Sequence, residues 1–117
     1  MLLATTTLTI AAPSDYHFEI VGAPTGTPGT TTVAVRLVRA SDNKPVDGAT
    51  IVEAKTDMGP TGMAEMFGRV TPAASDRPGL YRFSIETGMA GKWELLLTAK
   101  LLGEATPITG KVIYDAQ

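Results

Sequence analysis

Four segments of this chain alternate apolar and polar residues with the two-residue period of a half-buried strand. In YHFEIV, Tyr16, Phe18 and Ile20 fall on one face and His17 and Glu19 on the other. VAVRLVR groups Val33, Val35 and Leu37 opposite Arg36, and LYRFSIE groups Tyr81, Phe83 and Ile85 opposite Arg82, Ser84 and Glu86. KWELLLTAK groups Trp93, Leu95, Leu97 and Ala99 opposite Glu94, Thr98 and Lys100. ATIVEAKT and ITGKVIYD predict two more strands with a less regular alternation, and FGRVTP a short extra one. Between these runs lie APTGTPGT, SDNKPVDG, SDRPG and TGMAG, rich in the Gly, Pro, Asn and Asp that turns demand. No window carries the period of an amphipathic helix. The predicted strands span 16–22, 32–40, 49–57, 66–72, 80–86, 92–100 and 106–115. They imply an all-β fold, an immunoglobulin-like sandwich of about seven antiparallel strands without the cysteine pair of antibody domains.

The 117-residue length suits one domain, read here as residues 14–117. Residues 1–13 are apolar and threonine-rich and lack a basic n-region, which reads as a disordered N-terminal tail or the remnant of a trimmed export signal. No apolar run reaches the ~18 residues needed to span a bilayer, so no membrane span is expected in this chain. Ten basic against 12 acidic residues give a net charge of −2, with Lys and Arg scattered, so nucleic acid is not an expected partner. There are no cysteines, which removes disulfides, thiolate catalysis and Cys-based zinc sites together. With a single histidine and no phosphate-binding glycine motif, no catalysis is expected. His17 itself should point outward, since Tyr16 and Phe18 take the inner face.

The chemistry lies in DMGPTGMAEM, residues 57–66, which holds three of the five methionines. If the strands run antiparallel in turn, alternate loops share one end of the sandwich. Met58, Met63 and Met66 would then meet Met89 from TGMAG, with Trp93 nearby. Thioether sulfur is neutral and polarisable and suits Cu(I) far better than Mg, Ca or Zn. Gly59-Pro60 and Gly62 let Met58 and Met63 meet across a turn, and Met63 and Met66 would share a face if that piece were a helical turn. Trp93 could cap the metal by a cation–π contact. Two other uses fit the same residues: packing of the methionines into the mouth of the sandwich, and an adaptable protein-binding surface.

KPVDGATIVEAKTDMGPTGMAEM followed by GLYRFSIETGMAGKWELLLTAKL resembles the YtkA-like/FixH-like family over about residues 31–115. The pieces that carry the likeness are GLY, the MAGKW that opens a strand, and the Met-Gly-rich loop. The resemblance implies an extracytoplasmic, periplasmic β-sandwich linked to copper handling, heavy-metal resistance and assembly of copper oxidases. Its partner would be a membrane efflux or oxidase-assembly protein. Carried over by position, the metal candidates are Met58, Met63, Met66 and Met89, with Trp93 as a neighbour. Members often place a histidine beside the methionine loop, and Gly62-Met63-Ala64-Glu65 has none, so the implied site is all-thioether. The expected function is therefore Cu(I) or Ag(I) binding, with an adaptor module that docks through the methionine loop as the alternative.

Overall fold

Strands that alternate in this way can bury one face only by stacking it against a second sheet. The computed structural model describes residues 15–75 and 77–116; the reading of residues 1–13 as a tail or signal remnant lies outside them. Among the described residues the strands are β1 (Tyr16–Ile20), β2 (Thr25–Thr27), β3 (Thr30–Arg39), β4 (Lys44–Pro45), β5 (Ala49–Met58), β6 (Met63–Phe67), β7 (Arg69–Ala73), β8 (Leu80–Glu86), β9 (Gly91–Leu101) and β10 (Ile108–Ala116). One sheet has the order β1-β3-β8-β7, with β2 and β4 also paired to β3, and the other has the order β10-β9-β5-β6. Every described pairing is antiparallel. These two orders are the ABED and GFCC′ sheets of an immunoglobulin-like sandwich.

The core forms where the inward rows meet. Val33, Val35, Leu37, Phe83, Ile85, Trp93, Leu95 and Leu97 are each at most 2% exposed, and full burial of one such aliphatic or Phe side chain contributes about 1.5–3 kcal/mol. The alternations of YHFEIV, VAVRLVR, LYRFSIE and KWELLLTAK are therefore those of the folded protein. ATIVEAKT is irregular because the register of β5 on β9 passes from Ile51↔Ala99 to Glu53↔Thr98, leaving Val52 as the extra residue of a bulge.

One predicted strand is corrected. Residues 66–72 are not one strand but parts of two, because β6 pairs with β5 in one sheet and β7 with β8 in the other. The chain changes sheets at Gly68, whose N–H donates to the Thr56 carbonyl at 3.2 Å. A Cβ there would lie 2.6 Å from the Glu86 carbonyl oxygen and 2.8 Å from Thr56 Cγ2, so only glycine fits the crossing.

The loops sort to two ends as alternation requires. The Thr87 N–H, after β8, donates to the Gly29 carbonyl of the β2–β3 turn at 3.0 Å, joining those two loops. At the other end the Tyr16 hydroxyl donates to Glu104 Oε1 in the β9–β10 loop at 3.1 Å. His17 lies at that far end, exposed, with Nε2 3.1 Å from Glu19 Oε1.

Candidate functional site

Met58 is the last residue of β5 and Met63 the first of β6, and the two stand directly opposite each other in the ladder. Between them Gly59–Thr61 make one 3-10 turn that starts with Pro60 in its opening positions and closes at Gly62. Gly62 sits at φ 80°, a left-handed conformation that favours glycine. Its N–H donates to the Gly59 carbonyl at 2.9 Å, and the Thr61 hydroxyl donates to the Met58 carbonyl at 2.9 Å. The register then steps from Met58↔Met63 to Asp57↔Phe67, which leaves residues 64–66, Met66 among them, in a bulge. Met63 and Met66 therefore do not share a helical turn: β6 is extended, and the only turn of helix in this loop precedes it.

Met89 reaches the same end from the β8–β9 loop. Its carbonyl accepts a hydrogen bond from the Trp93 indole N–H at 3.0 Å, which ties the loop to the core. A Cβ at Gly91 would lie 3.3 Å from Met58 Cε, so the Met58 methyl packs against the first residue of β9. The β5–β6 and β8–β9 loops thus meet at one end, as the loop alternation predicts, and carry Met58, Met63, Met66 and Met89 on or beside them. Their depths differ. Met58 is 2% exposed and belongs to the core, Met63 is half-buried against it, and Met66 and Met89 stand out at 38% and 45%. Trp93 is fully buried, so its contribution is packing and a hydrogen bond from beneath the loop.

A carboxyl pair that the spacing of the sequence did not disclose adjoins this turn. Asp57 and Glu94 are register partners on the outer face of the sheet. Asp57 Oδ1 accepts from the Gly59 N–H at 2.8 Å, and a side chain at Gly59 would collide with the Glu94 carboxyl. Burial, followed by the hydrogen bond and the charge of Asp57, pushes the Glu94 carboxyl above its ordinary value, against a smaller pull from Lys111. The Lys111 ammonium stands 3.8 Å from Glu94 Oε2, and the Glu94 side chain is 13% exposed. One layer deeper, the Tyr114 hydroxyl lies 2.6 Å from Thr56 Oγ1, which also bonds the Glu94 carbonyl at 2.8 Å. Burial pushes the Tyr114 phenol up to about 12. Residues 37 and 58 positions apart are joined here only by strand pairing, so no local signal could have found them.

The donor set fits a soft cation better than a hard one. Among the described residues no group of three or more His, Cys, Asp or Glu side chains is placed to hold a metal ion. Apart from the Asp57–Glu94 carboxyl pair, the donors that the two loops bring to this end are neutral thioethers. Met63, Met66 and Met89 are open to solvent to different degrees, while Met58 offers its sulfur only from within the core. Among the described residues no helix is long and apolar enough to cross a membrane.

The family model described as YtkA-like matches residues 10–98, most of the chain. No curated protein matches it. The chain belongs to the YtkA-like family.

Proposed function

We propose that this YtkA-like domain is a non-catalytic binder of Cu(I) or Ag(I) that holds the ion through methionine thioethers. It would act outside the cytoplasmic membrane in copper delivery, resistance or oxidase assembly. The observation that carries the reading is the pairing of Met58 with Met63 across one turn, beside a second loop whose Met89 is anchored to Trp93. Met63, Met66 and Met89 would be the accessible ligands. Met58 would join them only by leaving its place against Gly91. A neutral donor set lowers the affinity for Mg, Ca and Zn and keeps it for soft monovalent ions.

The test is an NMR titration of the methionine methyl groups with Ag(I), a redox-inert stand-in for Cu(I). Saturable shifts at Met63, Met66 and Met89, with His17 unmoved, are expected. Exchange of Met63 or Met89 for Leu, which keeps the bulk and removes the sulfur, should weaken binding. Absence of any methionine shift up to millimolar Ag(I) would end the metal reading.

A second reading has its own observation. Phe67 is 73% exposed, on the strand that also carries Met66. Together with Met89 they give this end an apolar rim suited to a protein partner such as an efflux or oxidase-assembly component. An adaptor of this kind would tolerate Met→Leu changes, because it uses apolar area rather than sulfur.

A further inference from the structure

Met58, Met63, Met66 and Met89 differ in depth, and depth controls the reactivity of a thioether toward oxidants. Sulfoxidation needs an approach to the sulfur lone pair. Met66 and Met89 are 38% and 45% exposed, whereas Met58 is 2% exposed, held between its β6 partner and Gly91. Met66 sits in the β6 bulge, where the ladder to β5 is interrupted. Met89 contributes only its carbonyl to the hydrogen bond from Trp93, so a change at its sulfur leaves that anchor in place.

We propose that Met66 and Met89 form a surface sulfoxidation site, converted by hydroperoxide-class oxidants in the folded protein while Met58 remains a thioether. In each event the sulfur gives up an electron pair to the distal peroxide oxygen. The O–O bond breaks, an S–O bond forms, and with hydrogen peroxide the remaining oxygen leaves as water. Sulfur is oxidised by two electrons and peroxide is reduced by two. The product is polar where the thioether was apolar, and enzymatic reduction reverses it. The rim around Trp93 thus has two chemical states. This inference stands apart from metal binding, because it depends on depth alone.

The experiment exposes the folded protein to graded hydrogen peroxide and localises each added oxygen by tandem mass spectrometry, with Trp93 fluorescence recording the fold. Met66 and Met89 should oxidise first, Met63 later and Met58 last. Met58 should lag the rim pair by at least about tenfold, the factor imposed by ~1.4 kcal/mol of local opening. In guanidinium the rates should converge, since the fold and not the sequence protects Met58. Oxidation of Met58 in step with Met66 and Met89, or loss of the buried Trp93 signal once the rim pair is oxidised, would overturn the proposal.

Discussion

Replacing Met58 by Ala should be among the most costly single changes in this domain, and replacing it by Leu among the mildest in the core. Met58 is 2% exposed and its terminal methyl abuts Gly91. Truncation to Ala removes the sulfur and two carbons from a region that cannot readily collapse. On one side Met58 faces Met63 across a turn closed by three hydrogen bonds, and on the other lies β9 with the fully buried Trp93. Buried Met→Ala changes cost about 2–5 kcal/mol, and poor collapse keeps this one off the low end, near 3–4 kcal/mol. Leu conserves most of the volume and should cost less than about 1.5 kcal/mol. Trp93, the single tryptophan, serves as the reporter of guanidinium denaturation. In a thermal scan, 3 kcal/mol corresponds to a Tm lower by more than about 12 °C for a domain of this size. An Ala variant within about 0.5 kcal/mol of the parent would refute the assignment of Met58 to the core. A Leu variant as unstable as Ala would show that shape or sulfur, rather than volume, is what the site requires.

Gly68→Ala should destabilise by about 1–3 kcal/mol in the same denaturation assay, because the new methyl meets the Glu86 carbonyl and Thr56 where the chain changes sheets. Thr87→Val should stabilise by up to about 1 kcal/mol, since Thr87 Oγ1 is buried without a hydrogen-bond partner among the described residues. Glu94 has its folded pKa raised, so the folded state holds the proton more tightly than the unfolded chain. Its contribution is complete below the ordinary value of 4.5 and is lost as pH climbs through the raised one. Glu94→Gln should therefore gain stability relative to the parent between acidic and neutral pH, and an unchanged difference in urea melts across that interval would contradict the carboxyl pair. Tyr114 should resist ionisation until about pH 12, against an ordinary value of 10. Its contribution to stability is present below pH 10 and disappears as pH rises toward 12, which an ultraviolet phenolate titration of the parent and of Tyr114→Phe will resolve.

What the sequence disclosed and what it withheld follow from the range of the interactions. Alternation reports which side of a strand is buried, so the inner rows of β1, β3, β8 and β9 were legible from YHFEIV, VAVRLVR, LYRFSIE and KWELLLTAK. The same signal is blind to which sheet a strand joins, so the run through Gly68 reads as one strand although it crosses between two sheets. The convergence of the two methionine loops followed from topology, since antiparallel strands must place alternate loops together. The depth of each methionine did not, because burial of Met58 depends on Gly91 and Trp93 from a strand more than thirty positions away. The pairing of Asp57 with Glu94 was hidden for the same reason.

The gradient of depth also constrains how a thioether site here can work. A ligand set confined to Met63, Met66 and Met89 leaves the core intact and is limited by the ordering of the loops. Recruiting Met58 adds a sulfur but withdraws a buried side chain, at a cost of about 1.5–3 kcal/mol. That cost divides the affinity gained from the fourth donor by roughly 10- to 150-fold. A soft cation would therefore meet the rim thioethers first, and Met58 would contribute only where the metal–sulfur bond exceeds the packing energy it replaces. Substitution separates the two contributions. Met89→Leu removes a rim donor without touching the core and should lower affinity with little change in stability. Met58→Leu keeps the packing and removes the inner donor, so its affinity relative to the parent reads directly whether the buried sulfur is used. Equal Ag(I) affinity in Met58→Leu and the parent would assign capture to the rim alone.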